Sequence, residues 1–151
     1  MKFTFFGHSS FLVETMGKKL LFDPFITPNE LAKEINVDAI KPDYILLSHG
    51  HADHVADVER IYENSEATII SNYEVVGWFG AKSLERGHPM NHGGSWEFDF
   101  GTVKLVNAVH SSSMPDGSYG GNPVGIIVKN TEGCFYYAGD TALTKDMELI
   151  G

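Results

Sequence analysis

The segment His49-Gly50-His51-Ala52-Asp53-His54 puts three imidazoles and a carboxylate within six residues. It follows the apolar run Asp43 to Ser48 (DYILLS) and leads into Val55, Val58, Ile61 and Tyr62, which recur at helical spacing. Neutral imidazole and carboxylate are donors that suit Zn²⁺, Mn²⁺ or Fe²⁺. A strand-to-loop junction can turn alternate side chains inward, so His49 and His51 can bind one ion. The next helical turn can aim Asp53 and His54 at a second. The plainer reading is a solvated loop with Asp53 as a cap, and four ligand-type residues at this spacing argue against it. Two further candidates end strand-like runs: His110 in TVKLVNAVH and Asp140 in FYYAGD. Alone, each has an ordinary role as a hydrogen-bonded strand-end His or a cap before Thr141. Active groups in α/β folds gather at the carboxyl ends of strands, which raises both.

Weaker candidates surround these. His8 lies in GHSSF and is either a hydrogen-bonded turn residue or a neighbour of the cleft. Asp23, before Pro24, could accept a hydrogen bond from a ligand imidazole and fix its tautomer. His88 and His92 are four apart, but Pro89 argues against the helix that a metal pair at that spacing needs. Ser111 and Ser112 adjoin His110 without a G-x-S-x-G elbow, so they read as turn or supporting residues, not nucleophiles. Tyr119-Gly120-Gly121 sits in a loop from Met114 to Pro123 that could line a substrate pocket. Cys134 opens a strand, lacks a neighbouring base and reads as a small buried hydrophobe.

The elements that must position these groups are mixed. Lys2 to Phe6, Ser10 to Glu14 and Lys19 to Asp23 read as strands, with a hairpin turn at Met16-Gly17. Phe3, Phe5, Phe6, Phe11, Phe22 and Phe25 crowd this quarter, and their alternation predicts sheet core. Asn29 to Asn36 reads as a short helix. DYILLS is the pattern of a strand buried on both faces. Helix follows to Asn64, then a strand at Ala67 to Ser71 and a helix over Tyr73 to Leu84. Further strands are expected at Trp96 to Phe100, Thr102 to Val109, Val124 to Lys129 and Cys134 to Ala138, with a helical start from Thr144. No repeat or linker interrupts this pattern, so one α/β (α+β) domain over 1–151 is expected.

The 151 residues carry 11 Lys and Arg against 20 Asp and Glu, a net charge of −9. Such a body attracts neither nucleic-acid phosphates nor anionic lipid. No run approaches a membrane span, and the N-terminal apolar run is too short for a signal-peptide core. The single cysteine fits a reducing compartment. A cytoplasmic protein acting on a small molecule, without nucleic-acid or membrane partners, is the expectation.

With these motifs in hand, the sequence resembles the metallo-β-lactamase superfamily. HGHADH, His110 and Gly139-Asp140-Thr141 carry the likeness. GHSSF at 7–11, DPF at 23–25, HPMNHGGSWEFDFG at 88–101, HSS at 110–112 and YAGDT at 137–141 narrow it to a branch of metal-dependent hydrolases related to L-ascorbate-6-phosphate lactonase. The resemblance implies a four-layer αββα sandwich and two divalent ions, Zn²⁺ first, with Mn²⁺ or Fe²⁺ as alternatives. It implies that His49, His51 and His110 hold the first ion, that Asp53 and His54 hold the second, and that Asp140 bridges them. A metal-bound hydroxide would attack an ester, lactone or phosphodiester. Asp53 would orient it or take its proton, and His8, beside the cleft, is the other catalytic candidate. In this branch the segment at 88–94 is a turn.

The resembling branch also runs on past this length to a last His that completes the second site. The expectation is therefore a domain lacking its C-terminal strands, the second half of the sandwich incomplete. Apolar surface left open would favour association, for example as a homo-oligomer. The alternative function is a non-catalytic fragment that retains one metal site.

Overall fold

Strand residues in this chain sort into two sheets because the apolar pattern changes along it. The computed structural model describes residues 1–150. The first sheet has 6 strands in the order β1 (Lys2–Gly7), β2 (Ser10–Thr15), β3 (Lys18–Phe22), β4 (Tyr44–Leu46), β5 (Thr68–Asn72) and β6 (Gly87–Met90). The second has 4, in the order β10 (Gly133–Tyr137), β9 (Val124–Asn130), β8 (Gly101–Asn107) and β7 (Ser95–Phe98). The first three strands, joined by short turns, and the whole second sheet are antiparallel; within the second sheet β8 and β9 are joined by the long segment 108–123. The hairpin at Met16-Gly17 has positive φ at both residues (50° and 74°), the geometry that matches strand twist in a two-residue turn. From β3 onward the strands run parallel; 3₁₀ turns carry the chain from β3 to β4, and helices carry it from β4 to β5 and from β5 to β6.

Those helices are α1 (Ala52–Val55), α2 (Val58–Glu63) and α3 (Tyr73–Ala81); a last turn, α4 (Met147–Ile150), buries no residue. Val55, Val58, Ile61, Val75 and Phe79 pack on the outer face of the first sheet against Leu21, Ile45, Leu47 and Ile69. The intervening residues Leu20, Phe22, Leu46 and Ile70 point the other way, into a core shared with Val103, Leu105, Val124, Ile126 and Val128 of the second sheet. Successive residues thus feed alternate cores, which is why DYILLS is apolar throughout. The layers are helix, sheet, sheet: three of the four expected of an αββα sandwich. Among the described residues no helix is long and apolar enough to cross a membrane.

Several expectations change in detail. Asn29 to Asn36 forms not a helix but 3₁₀ turns at Glu30–Ala32 and Val37–Ala39, each capped by a preceding Asn side chain. The helix after His54 is split, because Asp57 turns inward: its Oδ2 accepts from the backbone N–H of Ile26 (2.7 Å) and Thr27 (2.8 Å). The 88–94 segment is only partly a turn; Gly87 to Met90 pairs with β5, and Pro89 is tolerated because β6 is an edge strand. Cys134 is exposed, since its strand edges the second sheet. Phe3 and Phe5 are 53% and 70% exposed, not core, and line an apolar cleft of about 360 Å³ with Phe11, Phe135, Tyr136 and Tyr137 where the edge strands β1 and β10 face each other.

Asp57 ties the loop after β3 to the helix pair and is almost fully buried. Replacing it, Asp57→Ala, leaves two N–H groups without acceptors and should lower the unfolding free energy by about 2–4 kcal/mol. Urea unfolding of the variant checks this; an unchanged midpoint would contradict it.

Candidate metal centre

The candidate ligands all sit where strands of the two sheets end. His49 follows the β4 run, and His51 to His54 enter α1. Asp23 follows β3, His8 lies in the β1–β2 turn, His110 lies beyond β8 and Asp140 beyond β10. Gly139 lets the last approach happen. Its φ is 62°, and a Cβ there would lie 2.7 Å from the Cβ of Ser48.

Three imidazoles are each held by one ring nitrogen, leaving the other to face the cavity. Ser48 Oγ lies 2.9 Å from His49 Nδ1, and Ser111 Oγ lies 3.2 Å from His51 Nε2. Asp23 Oδ2 accepts from His54 Nδ1 at 2.8 Å. The free nitrogens converge: His49 Nε2 is 3.0 Å from His51 Nδ1, and ligand atoms of His49, His51 and His110 lie within 4.8 Å of one another. A second group meeting the same limit is His8, Asp53 and His54, where His8 Nε2 approaches Asp53 Oδ2 at 3.3 Å. Asp140 Oδ2 stands between the groups, 3.4 Å from His54 Nε2 and 3.7 Å from His110 Nε2.

These residues fit metal ions. His54 Nε2 is buried without a hydrogen-bond partner. Leaving such an atom unpaired costs about 1–3 kcal/mol, a cost that a coordinated cation removes. The electrostatics agree. Burial, then the neighbouring His54, pull His49 down to about 4, so its lone pair is free at neutral pH. Burial also opposes charge on His54, but the hydrogen bond and charge of Asp23, with Asp140 and Asp53, outweigh it and raise its pKa. Asp53 is lowered: burial works against this, and His54, its backbone hydrogen bond, His8 and His49 prevail.

The family model for the β-lactamase superfamily domain matches residues 18–151. The chain belongs to the metallo-β-lactamase superfamily. A protein of Flavobacterium johnsoniae named a UPF0173 metal-dependent hydrolase is 55% identical over 150 residues, 99% of this chain and 66% of that one. YtkL of Bacillus subtilis, named likewise, is 45% identical over 156 residues, 100% of this chain and 68% of its own. Among solved structures, Igni18 of Ignicoccus hospitalis, described as a metallo hydrolase, superposes with a TM-score of 0.85 at 34% identity, over 99% of this chain and 64% of that one. The chain thus spans about two thirds of the length of these metallo-β-lactamase relatives.

Within this domain, the structure gathers His8, His49, His51, Asp53, His54, His110 and Asp140 at one end of the sandwich. Asp23 joins them as a hydrogen-bond acceptor. His88 and His92 stay apart: His88 stacks near Trp96 and Phe98, and His92 Nε2 contacts the Pro123 carbonyl. Ser112 supports a turn, accepting from Gly50 N–H and donating to the Gly120 carbonyl. Two residues escaped the sequence reading. Ser48 showed itself only as a polar residue closing an apolar strand, and Tyr137, whose hydroxyl donates to Asp23, showed itself only as the first residue of the YAGDT motif, with no role of its own.

Gly139→Ala tests the close approach. The new Cβ would collide with Ser48 and force a left-handed backbone on alanine. We expect a loss of about 1–3 kcal/mol in thermal unfolding together with weakened metal uptake. A variant as stable and metal-replete as the parent would show that the loop is free to move.

Proposed function

We propose that this chain is a hydrolase domain that uses two divalent ions, Zn²⁺ foremost, to cleave an ester, lactone or phosphodiester bond in a small molecule. The observation that carries the reading is the set of inward-facing nitrogens on His49, His51 and His54, with Asp140 in contact with both groups of ligands. His49, His51 and His110 would hold one ion. Asp53 and His54 would hold the other, with His8 within reach of it, and Asp140 would serve both. Ions bound there would polarise a carbonyl or phosphoryl oxygen and acidify water toward neutral pH. The relatives' printed names, metal-dependent and metallo hydrolases, support the reaction class. The lactone option rests on the motif resemblance to L-ascorbate-6-phosphate lactonase.

The chain's own groups supply the rest. Asp53, held ionised, would accept a proton at Oδ2 as the bond is attacked. His8 Nε2, 3.3 Å from that oxygen and partly exposed, would relay the proton or donate to the leaving oxygen. Ser111 would keep His51 in its Nε2–H tautomer, and Ser48 would do the equivalent for His49.

The test is elemental analysis on the monodisperse chain, paired with His49→Ala. Two ions per parent chain and loss of both metal and hydrolysis in the variant are expected. Full stoichiometry in His49→Ala would refute the assignment. One ion per parent chain without turnover would favour instead a non-catalytic unit that keeps a single site.

A further inference from the structure

Asp23 is fully buried, and four donors converge on its carboxylate. The Ser48 N–H reaches Oδ1 at 2.8 Å, while Ser48 Oγ (2.5 Å), His54 Nδ1 (2.8 Å) and the Tyr137 hydroxyl (2.5 Å) share Oδ2. Three of these belong to the segment 48–54, which is built on the first sheet. Tyr137 does not: it ends β10 in the second sheet and reaches across the core between them. Its ring is fixed edge-on against Phe11 and Phe22, at centroid distances of 5.1 and 5.5 Å. The hydroxyl is therefore delivered by packing, at a place set by the whole sandwich. Asp23 itself has φ 37°, a backbone state that a non-glycine residue keeps only when its surroundings hold it there.

We infer that Tyr137 is a positioning residue for the second ion: its hydroxyl, donated across the sandwich, holds the Asp23 carboxylate in the orientation that turns His54 Nε2 toward Asp140. The inference rests on the two-ion reading above. Its effect is selective. Tyr137 touches neither His49, which Ser48 Oγ holds at Nδ1, nor His51, which Ser111 holds, and Asp23 reaches His49 only through Ser48. His54 alone among the three takes its orientation directly from the oxygen that Tyr137 also holds. Serine, histidine and tyrosine thus share one acceptor, and removing the tyrosine donor takes away the one hydrogen bond that ties this oxygen to the second sheet.

Titration of the metal-free chain with Co²⁺, followed by the visible spectrum and calorimetry, separates the two binding steps. Tyr137→Phe should loosen the second Co²⁺ by about 10–100-fold and leave the first within about threefold. Phe135→Leu, a change in the same strand and aromatic cluster without a donor, should lower the melting temperature while leaving both affinities alone. Equal binding by parent and Tyr137→Phe, or an equal loss at both steps, overturns the inference and leaves the metal reading standing. A parent chain that takes up no Co²⁺ overturns both. Should Tyr137→Phe fail to fold, proton NMR of the parent decides: a slowly exchanging Tyr137 hydroxyl proton with cross-peaks to the His54 ring is required, and its absence is fatal to the inference.

Discussion

A carboxylate taken fully out of water must be met by donors, and in this chain that requirement falls on Asp23. The groups that answer it are the ones the site needs in place. Ser48 carries the next hydrogen bond to His49, His54 is itself a ligand candidate, and Tyr137 belongs to the opposite sheet. One buried carboxylate therefore sets two imidazoles and stitches the two sheets together. The network also explains why His54 is left with an open nitrogen. Its Nδ1 is committed to Asp23, and Nε2 is left without a hydrogen-bond partner, facing Asp140.

The requirement can be met only because the surrounding fold is rigid. β3, β4 and β5 run parallel with Leu21, Ile45 and Ile69 on one face and Leu20, Leu46 and Ile70 on the other. Each fully buried aliphatic side chain contributes about 1.5–3 kcal/mol. Burial on both faces fixes the register, since a slip of one residue would exchange the two cores. Asp23 and Ser48 leave adjacent strands close together for that reason, so the Ser48 N–H reaches the Asp23 carboxylate at 2.8 Å just beyond the pairing of Phe22 with Leu46.

Most of this was legible because the patterns were local. The period-two strands, the Met16-Gly17 hairpin and the His49 to His54 cluster all declare themselves within a few residues. His110 and Asp140 could be placed at strand ends from their neighbours alone. What the sequence hid was set by distant partners. The helix after His54 breaks because Asp57 answers backbone donors at Ile26 and Thr27, a demand made some thirty residues away. Cys134 and Phe5 carry buried-strand composition, yet they lie on edge strands, and edge position is a property of sheet order that no local window contains. Tyr137 was hidden twice over, by alternation that reports only its face and by a partner 114 positions earlier.

The acid balance and the metal centre belong to the same electrostatic argument. A net charge of −9 favours the approach of divalent cations over that of anions. Within the cleft, Asp53 and Asp140 supply fixed negative charge, while burial keeps His49 uncharged and able to coordinate. The same field repels an anionic substrate until cations reverse its sign locally. On the proposed reading, ions would have to precede a phosphodiester or a phosphorylated lactone in the order of binding, whereas a neutral ester would be indifferent to that order. On the proposed two-ion reading, ions held there would therefore set the terms on which an anionic small molecule enters the site.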